Sequence, residues 1–125
     1  MPVKNPARRP ERRKQVASLR EQNAKALTIQ SLEASKAIQK TASTFSTLLL
    51  SKKKIPAAKV RAAERAAKDF LKLRGKTIRQ RRKYVESSVA VGKSPGLTSV
   101  PKLQAGYIQA TILLKAIERY RQKAN

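Results

Sequence analysis

From Glu11 to Ile55 the sequence contains neither glycine nor proline, and that uninterrupted run constrains the fold more than any other feature. The segment is rich in Ala, Leu, Gln, Lys and Glu, which lose little on entering a helix. Pro10 stands where a first helical turn accepts a proline. On a ruler of about 100° per residue, Val16, Leu19, Leu27, Ala34, Ile38, Phe45, Leu48 and Leu49 fall within an arc of about 120°. That is one seam, about 60 Å long if unbroken. The stretch TASTFST, residues 41–47, is the expected place for a kink or break, because Ser and Thr hydroxyls compete for backbone partners. One helix and two helices both fit the pattern.

Punctuation divides the remainder. Pro56 disfavours a helical residue 55 and suits the first turn of a new helix, so a second helix is expected over about 56–88, weakened at Gly75. Its apolar stripe is Val60, Ala63, Ala67, Phe70, Leu71, Ile78 and Val85. Residues 87–101, SSVAVGKSPGLTSVP, read as a loop over about 89–101 with a Pro-Gly turn or a short hairpin. A third helix follows over about 102–123. Leu103, Tyr107, Ala110, Leu114 and Ile117 form one side of it, Ile108 and Ile112 point roughly opposite, and Lys115 is the single charge between Leu103 and Ile117. Two neighbours from one small chain give such a helix too little cover. Leu103, Tyr107, Ile108, Ile112, Leu114 and Ile117 are therefore expected to touch another protomer.

No strict heptad persists beyond about three turns, and no repeat of about 20–50 residues is evident. The expected architecture is all-α: an extended Pro/Arg arm over residues 1–10, then a helical domain over 11–125. Its helices, at about 11–50, 56–88 and 102–123, form a small bundle completed by neighbouring protomers, as a homo- or hetero-oligomer with a similar helical subunit.

The charge balance points to a partner. Thirty Lys and Arg against seven Asp and Glu give a net charge of +23, so self-repulsion opposes a compact monomer unless counter-charge is supplied. The absence of Cys and His removes zinc sites, thiol nucleophiles, disulfides and the usual general base. No paired carboxylates, metal ligands or activated nucleophile can be named, so no enzyme, cofactor or small-molecule substrate is expected. No apolar run approaches the roughly 18 residues of a membrane span, and integral membrane association is not expected. Residues 1–14 are Arg-rich like a mitochondrial transit peptide, but Pro2, Pro6 and Pro10 prevent the continuous amphipathic helix that such a peptide needs.

Within the second helix the cations are ordered. With Val60 at zero, Arg61, Arg65, Lys68, Lys72, Lys76, Arg79 and Lys83 all fall between about 80° and 160°. The stripe is about 33 Å long, close to one turn of a duplex. A solvated helix face would intersperse acids at i,i+4, whereas here only Glu64, Asp69 and Glu86 are at hand. Arg74, Arg81 and Arg82 point toward the apolar side, where snorkelling, a second phosphate strand or an acid of a neighbouring chain are all open to them. In the arm, Arg8, Arg9, Arg12, Arg13 and Lys14 form a second cluster suited to tracking phosphates. The candidate nucleic-acid contacts are Arg8, Arg9, Arg12, Arg13, Arg61, Arg65, Lys68, Lys72, Lys76, Arg79, Arg82 and Lys83. Gly75 is the place where the helix would bend around a duplex.

Two near-motifs fall short. Gly92, Lys93 and Ser94 end like a phosphate-binding loop, but Ser87 stands in place of its first glycine. KKKIPAAKVR resembles an import signal, yet three lysines at a helix junction are common in basic proteins. The two Phe sit on apolar seams, so no base-stacking platform is visible. The expected binding is to phosphates, salt-dependent and sequence-tolerant, and +23 balances the phosphates of about 11 or 12 base pairs.

The layout, carried by NPARRPERRK, the stripe from Arg61 to Lys83 and GYIQATILLKAI, resembles the major capsid proteins of filamentous and rod-shaped archaeal viruses. That resemblance implies helical protomers, often paired, that wrap double-stranded DNA in an A-like form inside a virion. It carries no residue-level roles. The density of charge in the middle helix equally suits a ribosomal protein that threads its arm through ribosomal RNA, in cytoplasm or mitochondrion. A cationic chromatin or membrane-surface protein is a third reading, weakened by the scarcity of large apolar residues in the second helix.

Overall fold

The structure, a computed structural model, describes the backbone of residues 8–93 and 101–124 and the side chains of 11–93 and 101–123. Three helices account for it: α1 (Arg8–Leu50), α2 (Ala57–Ala90) and α3 (Pro101–Ala124). Among the described residues there is no strand, and no helix is long and apolar enough to cross a membrane. The chain is all-α as expected, with helix ends shifted outward. Arg8–Pro10 belong to α1 rather than to an extended arm, and α2 runs on to Ala90. The rest of the expected arm, residues 1–7, and the expected Pro-Gly turn lie outside the described residues.

Neither expected weak point interrupts a helix. α1 passes through residues 41–47 unbroken, because the hydroxyls there find partners inside the helix: Thr41 donates to the Ala37 carbonyl at 3.0 Å and Thr47 to that of Ser43 at 3.1 Å. α2 likewise passes through Gly75 without a break.

The helices end where backbone groups are recaptured. At the end of α2, Gly92 takes φ 72°, its N–H bonds the Val89 carbonyl at 3.0 Å, and the Lys93 N–H bonds that of Ser88 at 2.8 Å. This is a Schellman stop, in which the left-handed position favours glycine. α1 ends with the same left-handed turn, but there the residue is Lys52, at φ 57°.

Burial follows a period that the apolar pattern conceals. α1 buries Ala17, Ala24, Ser31, Ile38 and Phe45 at steps of seven, with Ser35 and Ala42 in the alternate register. α2 does the same with Val60, Ala67 and Ser88 and with Ala63, Phe70, Thr77 and Tyr84. In α3 the set is Leu103, Ala110 and Ile117, alternating with Gly106 and Leu113. Steps of three and four average 3.5 residues, the spacing of a left-handed coiled coil. Sequence reading missed it because most of these positions hold Ala, Ser, Thr or Gly. The expected α1 seam is rotated by roughly 70° on the helical ruler, and Val16 and Leu19 are 42% and 60% exposed.

Named contacts fix the topology. Arg20 meets Ser87, Thr28 meets Arg81, and Ser31 meets Thr77, so α1 and α2 are antiparallel. The Ser35 hydroxyl donates to the Lys102 carbonyl, and the Phe45 ring meets Tyr120 edge-on at 6.4 Å, so α3 runs parallel to the C-terminal half of α1. Where α3 crosses, Gly106 is required: a Cβ there would overlap the Ser35 hydroxyl and come within 2.8 Å of Phe70 Cζ. The bundle thus has two parts. Near the α1–α2 turn, three helices enclose Ile38, Phe45, Ile55, Phe70, Leu113 and Ile117, each side chain worth about 1.5–3 kcal/mol on burial. Farther out, the described residues form a two-helix stretch whose interior is Ala17, Ala24, Ser31, Thr77, Tyr84, Ser87 and Ser88.

Two of the residues expected at a protomer contact are spent inside the chain. Leu103 and Ile117 are buried at 5% and 1% exposure, and Leu114 is half-buried against the core. The physical reason is that α1 and α2 together form a wide enough groove to cover that side. Only Tyr107, Ile108 and Ile112 remain exposed, at 38%, 46% and 53%.

Candidate nucleic-acid interface

The positions that α2 buries, centred on Ala63, Ala67 and Phe70, leave the opposite side of the helix as the outermost ridge of the bundle. Arg61, Arg65, Lys68, Lys72, Lys76, Arg79 and Lys83 occupy that ridge, and all seven are exposed. The sequence reading places the stripe correctly because it depends only on helical phase. Packing at 3.5 residues per turn, however, sets it directly across from the core rather than beside it.

Acids neutralise little of the ridge. Arg65 lies 3.9 Å from Asp69 and Lys68 lies 3.8 Å from Glu64, both of i,i+4 type on the helix surface, where solvent screening leaves such pairs weak. Glu64 is further occupied by Arg121 of α3, which donates a hydrogen bond to its carboxylate. That bond is the main reason the Glu64 carboxyl titrates below its ordinary range. No acid of the described residues lies within ion-pair distance of Arg61, Lys72, Lys76, Arg79 or Lys83. These five are unpaired cations on one line.

The three arginines set apart by the sequence have separate fates. Arg74 is half-buried, with its guanidinium 4.3 Å from the centroid of the Tyr107 ring and Nη2 donating to Gln104 at 3.2 Å. Its Nε is buried without a hydrogen-bond partner, a cost that the cation–π contact offsets. Arg81 is half-buried and donates to the Thr28 hydroxyl at 3.0 Å. Both are committed to packing, whereas Arg82 is exposed.

The second cluster meets the stripe at its far end. Arg12 and Arg13, both exposed, line a hollow of about 280 Å³ together with Arg20, Glu86 and Ser87. Glu86 is one helical turn beyond Lys83, so the α1 start and the end of the ridge are neighbours. Arg8 and Arg9 lie in the first turn of α1, and their side chains are outside those described.

No family model, curated protein or solved structure matches this chain. The site therefore stands on its geometry alone. That geometry is a run of exposed, mostly unpaired cations along one face of α2, about 33 Å from Arg61 to Lys83. Its chemistry is to attract a linear array of anions, through Lys as point charges and Arg as bidentate forks.

Sequence reading missed one further basic group. Lys52, Lys53 and Lys54 of the α1–α2 turn are brought together with Arg119 and Lys123 of α3 around a cleft of about 740 Å³. The local lysine run is visible in the sequence. Its junction with residues of α3 depends on the parallel packing of α1 and α3, which no local pattern reveals.

Proposed function

We propose that this chain is a structural nucleic-acid-binding protein, not an enzyme, that coats and condenses double-stranded DNA through sequence-independent phosphate contacts, as a subunit of a helical nucleoprotein or capsid filament. The observation that carries the reading is the unpaired ridge of α2: Arg61, Lys72, Lys76, Arg79 and Lys83 share one exposed face with no acid of the described residues within ion-pair distance. Unsatisfied like charges held in line raise the energy of the free chain, and a phosphate backbone relieves that repulsion while releasing counterions. An unbroken α2 favours a rod lying along the duplex over a helix bent around it. The membrane-surface reading is disfavoured, because α2 turns Val60 and Phe70 into the bundle and its exposed large apolar residues, Ile78 and Val89, are two isolated side chains rather than a face able to enter acyl chains.

A coat also requires contact between neighbours. Of the α3 residues expected at such a contact, Tyr107, Ile108 and Ile112 remain exposed, and the two isoleucines are free of the Arg74 contact that occupies Tyr107. The virion is the corresponding location. The test is to titrate the purified chain against duplex DNA of mixed sequence and against a folded ribosomal RNA fragment, with microscopy of the products. Regular filaments on any duplex are expected; a defined one-to-one complex with the folded RNA, with duplex ignored, would establish the ribosomal reading instead.

A further inference from the structure

The cleft at the α1–α2 turn is a second basic site, and three observations separate it from ordinary surface charge. First, its cations come from two segments far apart in sequence, Lys52, Lys53 and Lys54 from the turn and Arg119 and Lys123 from α3, and among the described residues no acid lines it. Cations near helix C-termini are commonplace, because they complement the negative end of the helix dipole. Five around one hollow repel one another, and the fold gains nothing from that crowding. Second, the turn keeps a lysine at φ 57°, a left-handed position where a side chain costs roughly 1–2 kcal/mol relative to glycine. Third, the two sets of cations are held in fixed relation. The Ile55 N–H donates to the Tyr120 hydroxyl at 2.9 Å, and that hydroxyl donates to the Ile55 carbonyl at 3.3 Å. Tyr120 itself lines the cleft, so the bond pair that closes the turn onto α3 also sets the width of the basic site.

The position of the cleft defines what it does. It is walled by α1, the turn and α3, and no residue of the α2 ridge lines it. The cleft thus offers phosphates a seat made of cations other than those of the ridge. We propose that Lys52, Lys53, Lys54, Arg119 and Lys123 grip the phosphate backbone of a second duplex, so that a single chain bridges two nucleic acids. This rests on the reading of the ridge as a phosphate-binding face and adds to it a mechanism of condensation: cross-linking, beyond charge neutralisation.

The experiment immobilises one duplex on beads, adds the full chain, then adds a second, fluorescent duplex and measures its capture; affinity for a single duplex is measured separately. In the variant with Lys52, Lys53, Lys54, Arg119 and Lys123 all changed to Gln, capture is expected to fall at least about tenfold, while the salt slope of single-duplex binding changes by less than about one unit. Lys52→Gly alone, which relaxes the turn and removes one cation, guards against misfolding as the cause and is expected to lower capture in part. Undiminished capture by the fivefold variant would overturn the proposal, since bridging would then come from oligomers held by α3. So would a fivefold variant whose single-duplex affinity falls as far as its capture. If the native chain binds single duplexes and never captures a second, the bridging idea fails alone; if it binds none, the ridge reading fails with it.

Discussion

Changing Lys72, Arg79 and Lys83 together to Gln tests the ridge where it is least entangled with the rest of the fold. All three are exposed, and among the described residues none has an acid within ion-pair distance. Gln has nearly the helix propensity of Lys and Arg, so the variant should keep its far-ultraviolet circular dichroism, and relief of repulsion along α2 should leave its unfolding midpoint equal or higher. Each phosphate contact contributes about 0.9 to the slope of log K against log salt on duplex DNA, so three lost contacts flatten the slope by about 2.7. Referred to 1 M salt, where the counterion contribution vanishes, that difference amounts at about 0.15 M to roughly 150-fold in affinity, or about 3 kcal/mol. Fluorescence anisotropy of a labelled duplex between about 0.1 and 0.4 M salt measures the slope directly. Lys36→Gln, an exposed cation on α1, serves as the control. A triple variant that stays folded and keeps the native slope to within about half a unit would remove the ridge from the interface.

Two glycines in the same bundle should respond in opposite directions to alanine. Gly106→Ala collides with Ser35 and Phe70 and should destabilise by about 1–3 kcal/mol in urea, whereas Gly75→Ala meets only the end of Arg79 at 3.6 Å and should stabilise α2 by up to about 1 kcal/mol. Tyr120→Phe keeps the edge contact with Phe45 but loses both bonds to Ile55, and urea unfolding should show a loss of about 1–2 kcal/mol. Because the Glu64 pKa is depressed by Arg121, its contribution to stability is present above the ordinary glutamate range and is lost as pH falls through the lowered value. The stability of Glu64→Gln should accordingly vary less with pH over that acid interval, as followed by thermal melts.

Helix number and the breaks between helices were legible in the sequence because they are set by local chemistry: Pro56 and Pro101 act on their own neighbours, whereas the start of α1 at Arg8 and the end of α2 at Ala90 lie two or three residues outside the expected ends. The basic ridge was legible for a related reason, since phase along one helix needs no knowledge of the others. The core was not. An apolar ruler finds Val16 and Leu19, which are exposed, and passes over Ala24, Ser31 and Ser35, which are fully buried, because small and hydroxylated residues let two helix backbones approach closely without registering as hydrophobic. The same blindness explains α3. Its apolar circumference suggests a need for foreign cover, but Gly106 lets it sink between α1 and α2, and Leu103, Leu113 and Ile117 are then covered at home. The Lys52–Lys54 cleft was illegible because its other half comes from a helix more than sixty residues away.

The small-residue seam has a consequence for how the chain meets a duplex. Around the α1–α2 turn the core holds Ile38, Phe45, Phe70 and Ile117, while the outer stretch buries one large ring, Tyr84, and otherwise relies on the Ser31–Thr77 hydroxyl pair, the Arg81–Thr28 bond and the Arg20–Ser87 bond. Polar contacts of that kind contribute about 0.5–1.5 kcal/mol net each, less than a buried large apolar side chain. Local opening should therefore begin in the outer stretch, and backbone amides of residues 17–28 and 80–90 should exchange with solvent faster than those of 38–48 and 60–70. The ridge crosses the boundary, with Arg61, Arg65, Lys68 and Lys72 on the firm part and Lys76, Arg79 and Lys83 on the loose one. A duplex lying along all seven binds the closed form of the outer stretch and not the opened one, so binding suppresses opening by mass action. Exchange in 80–90 should slow on adding duplex DNA by much more than exchange in 60–70. Equal slowing in both segments, or none in the outer one, would mean that the duplex does not span the ridge.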